Sequence, residues 1–567
     1  MSLPSDAAAA PNAPAYGNEV RAAILRELLN AALQENLFGV CERIKVQRAA
    51  PFGLDTALLP IDRTERYASV TGPVASEMLV FRACTGDPLQ PLRCSRPPVL
   101  AVAAERVRAL SPAEVVYWLA QGQSARPGLT RLIMDLELAE VQGGVAQFAA
   151  SAIAAELDQP RPCLAAWERL AALRDRPFHP LARVRRGWSE AEYRRYSAEC
   201  AGRWPLHWIA VRRDRLVQAA GVTDDPASWL LCEEDREALA AEMTAGGLAD
   251  YLAMPAHPWQ ARMALPRLLA EAVARAELVP LPIQLGYVQP SASIRTVIPA
   301  GDSQVHLKLA LAIASLGALR PLPPRYLHNG SQAQRLLIEL QSRDPVLGKR
   351  LRLCDETLWW CHAPGMGEPP ADWPGHLACS LRRYPGPLGA ERIPMASFAV
   401  LLGDGRLPAF DHVLARRGER GAAAALALFE TLAIRLCELG FACFRAGIMP
   451  EAHGQNVLVE LDDGEPEWLV LRDHDTLRIH KPWIEAAGLV PPDYHIDCSG
   501  LNTLILQRPE TLLAYFQTLA LQVNLRAIGH ALVERYDKLS VSAVWLVVAR
   551  AARQAMIRTG IEGPAAD

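Results

Sequence analysis

Residues 456–473 constrain the fold more than any other stretch, because two apolar runs, 456–461 and 467–473, flank Asp463-Gly464-Glu465-Pro466. An Asp-Gly pair between short runs rich in Val and Leu selects a tight antiparallel hairpin, since such a turn needs the positive φ that Gly tolerates. A turn so centred places Asn456 opposite Asp473 and brings the two ends of the hairpin together. Glu451, His453 and Gln455 stand just ahead of the first strand. The amide oxygen of Asn456 and the carboxylate of Asp473 are hard donors of the kind Mg²⁺ takes beside waters and phosphate oxygens. The same two residues can also end a hairpin through backbone hydrogen bonds alone.

A second hairpin joins residues 293–299 to 304–309 through Ala300-Gly301-Asp302-Ser303. With the turn between Gly301 and Asp302, Ile294 faces Leu309, Thr296 faces Leu307 and Ile298 faces Val305, an apolar face for the core. The other face then sets Arg295 opposite Lys308, and like charges across a ladder are destabilising unless an anion lies between them. Two solvated cations on an exposed face are the plain alternative. The grouping of Ser293, Arg295, Thr296 and Lys308 favours a phosphate or carboxylate site, which Arg320 could join. A cationic pocket with an Asn/Asp pair suits a nucleoside triphosphate, and protein kinases use an Asn before a hairpin and an Asp after it in this way. The chain nevertheless has no G-x-x-x-x-G-K-[ST] loop and no G-x-G-x-x-G after a strand.

At 567 residues, with 50% hydrophobic and 21% charged, the chain is long enough for two to four packed domains. Its net charge of −3 provides no global field for nucleic acid or anionic lipid. The most apolar stretch near the end, 541–549, stops at Arg550, well short of the ~20 residues of a membrane span. The Ala/Pro-rich residues 1–15 lack a basic n-region and read as a frayed tail, so a cytoplasmic location is expected. The twelve cysteines form no CxxC and fit reduced core residues; Cys354, Cys361, His362 and Cys379 lack zinc-ligand spacing.

Helical periodicity covers 21–33, and Gly39 closes that segment before a strand from Val40. Helices, among them 112–119 and 130–140, are expected to dominate as far as residue 173, where the Pro/Arg-rich 174–187 intervenes. Helices and strands mix in the middle third, and Pro/Gly-rich 364–389 precedes a strong helix over 422–439 capped by Gly440. The class is α+β, in three parts: 1–175, largely helical; 176–380, carrying the anion-binding hairpin; and 381–567, with the Asn/Asp hairpin and a helical tail.

Taken in order, these motifs resemble the IucA/IucC (aerobactin-synthetase-like) family of siderophore synthetases that work independently of non-ribosomal peptide synthetases. The resemblance spans about two thirds of the chain: His179-Pro180 with Arg185 and Gly187, His257-Pro258-Trp259-Gln260, Ser293-x-Arg295-Thr296, Lys308, Arg320, Glu451-x-His453-x-Gln455-Asn456, and Arg472-Asp473. It implies a cupped hand of thumb (1–175), fingers (176–380) and loosely kinase-like palm (381–567), with ATP between fingers and palm. It also implies a homodimer that activates a carboxylate as its adenylate for attack by an amine or hydroxyl, releasing AMP and pyrophosphate. On that pattern Ser293, Arg295, Thr296, Lys308, His453, Gln455 and Asn456 hold ATP, with Arg295, Lys308 and Arg320 catalytic. His179, Arg185, Arg295 and Arg320 receive the acid, and Glu451, Asn456 and Asp473 serve Mg²⁺. Citrate or a citrate derivative is the expected acid, with α-ketoglutarate or another dicarboxylate as the alternative.

The chain departs from the family pattern at several places. Arg176 stands where the first His of a doubled His-Pro motif is common, Arg183 replaces a Lys, and Asp475-Thr476 replace Gly-Gly. Ser315-Leu316-Gly317-Ala318 precedes Arg320 where citrate-using relatives often carry a Thr. His179 and His257 also suit structural roles within turns, and Trp259 suits the core. Two rival classes are an ATP-dependent phosphotransferase, which would release ADP, and a non-catalytic siderophore-binding or iron-reducing protein. A kinase H-R-D signature and a cysteine cluster are both absent.

Overall fold

The computed structural model describes residues 17–72, 77–104, 106–122, 127–301, 304–364, 373–496 and 502–561. Residues 1–15, Asp302-Ser303 of the first turn, and Cys498 lie outside these. The chain forms two compact units, one of residues 1–149 with 178–190 and one of 150–177 with 191–567. The fold is α+β.

The first unit is built on a six-stranded antiparallel sheet between Ile44 and Ala109. Helix Gly17–Gln34 buries Leu25, Leu28 and Leu29 in a core with Phe81 and Trp118. Helix Pro112–Ala120, expected over 112–119, starts on a capping box, Ser111 with Glu114. The expected largely helical character is corrected here. Strand Glu77–Asp87 is paired along both edges and buries most of its central residues on both faces. A strand covered on both faces loses the alternation by which strands are recognised.

The second unit carries an antiparallel sheet of eight strands in the order Leu216–Gln218, Asp355–His362, Ala378–Arg383, Val305–Leu309, Thr296–Pro299, Leu278–Pro290, Trp204–Arg212 and Tyr251–Ala256. Residues 380 and 381 lie inside the Ala378–Arg383 strand, so a division there would cut this sheet. A four-stranded sheet follows, with Leu351–Leu353 parallel to Glu465–Leu471, then Val457–Asp462 and Glu391–Pro394. Helix Ala422–Arg445 buries Leu428, Phe429, Leu432 and Leu436. It runs straight through Gly440 instead of ending there. A methyl group at that position would lie 2.1 Å from the Phe516 ring, so Gly440 permits close packing and is not a cap. No helix among the described residues is long and apolar enough to cross a membrane.

Candidate active site

Lys308 sits on the Val305–Leu309 strand, between Thr296 on one neighbour and Ser380 on the other. The expected register is therefore one residue out: Arg295 falls opposite Leu309, whose amide donates to the Arg295 carbonyl at 2.7 Å. Because the strand is central and covered on both faces, Lys308 is buried, not solvated. Its ammonium contacts Asp473 Oδ1 and lies 2.8 Å from Asp475 Oδ2. Burial opposes the charge, but the two carboxylates outweigh it and raise the lysine above its ordinary range.

Arg382, on the adjoining strand, pairs with Glu356 and reaches Asp473 Oδ1 at 3.5 Å. Glu356 in turn accepts the amides of Asp473 at 2.9 Å and His474 at 3.2 Å. These bonds hold Asp473 in a left-handed conformation, φ 67° and ψ 67°, a strain of about 1–3 kcal/mol that surrounding contacts must offset. Burial alone would raise Asp473, yet Lys308, Arg382 and Arg295 pull it well below the usual carboxylate range. Asp475, by contrast, is raised, chiefly by burial and further by Asp473, against the pull of Lys308.

The 456–473 hairpin turns on Asp463, at φ 46°, and Gly464, at φ 84°, one residue earlier than a turn over 463–466, so Glu465 and Pro466 already belong to the return strand. That turn alone would shift the pairing by two; an irregularity between Glu460 and Leu461 leaves Glu467 as an extra residue and restores one, so Asn456 faces Arg472 and Asp473 lies one step beyond. The Arg472 amide donates to the Asn456 carbonyl at 3.1 Å. The fully buried Arg472 side chain donates to the Gln455 carbonyl at 2.9 Å, to Tyr384 Oη at 2.7 Å and to Glu168. Glu168 Oε2 also accepts the Ala292 amide at 3.0 Å, which ties the Arg472 strand to the turn carrying Ser293 and Arg295. In that turn the Thr296 amide donates to the Ser293 carbonyl and Ser291 Oγ to the Thr296 carbonyl.

Arg295 donates to the Pro321 carbonyl at 2.6 Å and Arg320 to the Ser315 carbonyl at 2.8 Å, so both arginines gather on one short hairpin. Glu451 accepts from Arg478 at 2.9 Å and lies 3.9 Å from the ring of His453. His453 is pushed well below its ordinary range by burial and then by Arg176, with Asp473 acting the other way. Arg176 itself donates to Gln455 Oε1 at 3.1 Å.

His179 and Arg185 belong to the first unit. His179 Nδ1 accepts the Leu181 amide at 3.1 Å, and Arg185 donates to the carbonyls of Ala182 and Val184. His257 is a structural histidine: it is buried, its Nδ1 accepts the Trp259 amide, and burial pushes it down to about 3. Trp259 is core.

Glu168, Glu356, Arg382 and Asp475 were not legible as site residues. Their one sequence signal is a charge placed inside an otherwise apolar helix or strand, or, for Asp475, in place of a Gly. Among the described residues no three His, Cys, Asp or Glu side chains are grouped so as to hold a metal ion. The arrangement sets Lys308, Arg382 and Arg295 around Asp473, with Asp475 and Glu356 as further partners of Lys308 and Arg382. Preorganised cations of this kind suit phosphate and carboxylate groups, and an α+β fold carries them.

The comparisons narrow that reading. The IucA / IucC family description matches residues 164–400, and a second description, a ferric iron reductase FhuF-like transporter, matches residues 435–564. Staphyloferrin B synthase of Staphylococcus aureus is 33% identical over 92% of this chain and 86% of its own length. Aerobactin synthase of Escherichia coli is 25% identical over 68% of this chain and 66% of its own. Among solved structures, petrobactin biosynthesis protein AsbB from Bacillus anthracis superposes with TM-score 0.77 at 18% identity, covering 96% of this chain and 88% of that one. ATP-bound aerobactin synthetase IucA from Klebsiella pneumoniae gives 0.70 at 19%, covering 96% and 94%. The chain belongs to the IucA/IucC family of siderophore synthetases, and it is an ATP-dependent ligase of siderophore biosynthesis.

Within the segment matching the FhuF-like description, Cys437 and Cys443 are buried in helix Ala422–Arg445, and burial pushes the Cys437 thiol up to about 12. Such thiols are core groups and poor ligands.

Proposed function

We propose that the site adenylates citrate or a citrate derivative and passes the acyl group to an amine or hydroxyl. A carboxylate oxygen attacks the α-phosphorus and pyrophosphate leaves; the nucleophile then attacks the acyl carbon and AMP leaves. The observation that supports this reading is the buried ammonium of Lys308 between Asp473 and Asp475, with Arg295 and Arg382 beside them. Bringing a carboxylate onto a triphosphate concentrates negative charge, and preorganised cations lower the cost of that encounter.

In this reading Ser293, Arg295, Thr296 and Lys308 take the triphosphate, while His453, Gln455 and Asn456 take the rest of the nucleotide. Arg295 and Arg320 receive the acid; α-ketoglutarate or another dicarboxylate is the second choice. Mg²⁺ suits the donors at hand: Asp473 is held ionised, its two cationic partners both contact Oδ1, and Glu451 and Asn456 offer further hard oxygens. When bound, the ion would neutralise phosphate charge. The thumb, fingers and palm division belongs to the same proposal, with the last boundary drawn after the strand ending at Arg383, as do a homodimer and a cytoplasmic site of action.

The experiment is purified protein with ATP, Mg²⁺, hydroxylamine and a panel of carboxylic acids. Citrate is expected to support pyrophosphate release and hydroxamate formation. Signal from α-ketoglutarate alone would replace the acid, signal from monocarboxylates alone would remove the polyanion pocket, and ADP in place of AMP would make the protein a phosphotransferase.

A further inference from the structure

Arginines in and around the site differ in what they are bonded to. Arg382 pairs with Glu356, Arg472 with Glu168, and Arg478 with Glu451. Arg176 does not follow this pattern. It is half-buried just beyond helix Leu164–Ala172, and its guanidinium donates only to the Asp175 carbonyl and to Gln455 Oε1, each at 3.1 Å. Both acceptors are neutral. No carboxylate lies within 4.0 Å of it among the described residues, although its position beside Gln455 and His453 borders the Asn456 and Arg472 strand ends. A guanidinium has five donors in a planar fork that matches the oxygens of carboxylate and phosphate. Half-buried and without a counter-ion in reach, it leaves N–H donors that an oxyanion can take.

The residue type adds to the argument. A guanidinium stays charged throughout the physiological range, so the positive charge beside Gln455 does not depend on pH.

We propose that Arg176 is a substrate contact that binds an oxyanion on the Gln455 side of the site, either a carboxylate of the acid or a phosphate oxygen of ATP. This rests on the reading of the site as one for ATP and a carboxylic acid. Its test uses binding so that it can fail separately from that reading.

The experiment is titration calorimetry of the full chain, wild type and R176Q, R176K and R176H, with Mg²⁺-ATP, with citrate and with α-ketoglutarate, and melting temperatures for each. R176Q keeps length and hydrogen-bonding capacity but loses the charge. It is expected to weaken one class of ligand by about 10–100-fold, the usual effect of one charge-assisted hydrogen bond. The other class should stay within about threefold, and R176K should recover part of the loss. Loss confined to ATP identifies a phosphate as the anion, and loss confined to the acids identifies a carboxylate. An R176Q protein matching the wild type in every titration overturns the inference, as does equal weakening of all ligands together with a lowered melting temperature, which would mark a structural role. Wild-type protein that binds ATP yet forms no hydroxamate with any acid would sink the proposed reaction, and the ATP titrations would still decide Arg176.

Discussion

Lys308 Nζ and Asp475 Oδ2 are 2.8 Å apart, and the lysine contacts Asp473 at the same time. A buried ammonium with two carboxylates supports the fold, and in the proposed reaction it also stabilises charge. Replacing Lys308 with Ala is expected to cut adenylation by about 10²–10³-fold, the typical loss on removing a preorganised charge. It also leaves two carboxylates facing each other without their cation, so a destabilisation of about 3–5 kcal/mol is expected. Among the described residues the Arg295 side chain bonds only to a backbone carbonyl, so Arg295→Ala should lose activity on a similar scale with little change in melting temperature. Pyrophosphate exchange and thermal melts measure the two separately, and near-normal turnover in both variants would remove the cationic site.

Asp473 combines a left-handed backbone with an ionised side chain. Asn tolerates that conformation about as well as Asp, whereas a β-branched residue does not. Asp473→Asn should therefore melt near the wild type while losing most activity and needing more Mg²⁺, since a neutral amide holds a hard cation poorly. Asp473→Val should lose stability as well. An unchanged magnesium titration in the Asn variant would exclude Asp473 from metal binding.

Glu168 and Arg472 are 304 residues apart in sequence and form a fully buried pair. Removing one partner strands the other's charge, so Glu168→Gln is expected to cost about 3–5 kcal/mol in urea unfolding, while a Glu168→Gln/Arg472→Met double variant should recover part of it. Additive losses in that cycle would mean the two residues act independently.

Much of the site was legible because chemistry-bearing residues occupied hairpin ends. The Asp463-Gly464 pair marked the hairpin, though the turn falls one residue earlier than expected, and Lys308, Asp473, His453 and Gln455 all fall within one unit. Both registers were off by one for local reasons: in one hairpin the two-residue turn comes a residue early and the extra Glu467 makes up only part of the shift, and in the other the ladder pairs Thr296 with Lys308. Turn composition does not encode such a shift. Glu168 was invisible for a different reason, since a carboxylate in an apolar helix has no signal until the strand bearing Arg472 is laid against it. The six-stranded sheet of the first unit was hidden by its own burial, which makes a strand such as Glu77–Asp87 read like any apolar run.

His257 makes a pH prediction with a definite sign. Its ring is edge-on to Tyr196 at 4.7 Å and Trp204 at 5.5 Å. Burial, with Arg262 and His207 adding to it, pushes the imidazole down to about 3. A histidine depressed in the folded state contributes its full stability above the unfolded value near 6.5 and loses it as pH falls toward the folded value. Over that window the loss approaches ~1.4 kcal/mol per pH unit for a single group. His306 and His453 are depressed in the same direction, so the wild type should lose stability steeply between about pH 6.5 and pH 4. His257→Asn retains an oxygen to accept the Trp259 amide but cannot take up a proton. Its unfolding free energy, measured by urea titration at pH 7.5, 6 and 5, should start below the wild type because of lost packing and then fall less steeply. Parallel curves for the two proteins would show that His257 does not titrate on unfolding in this range.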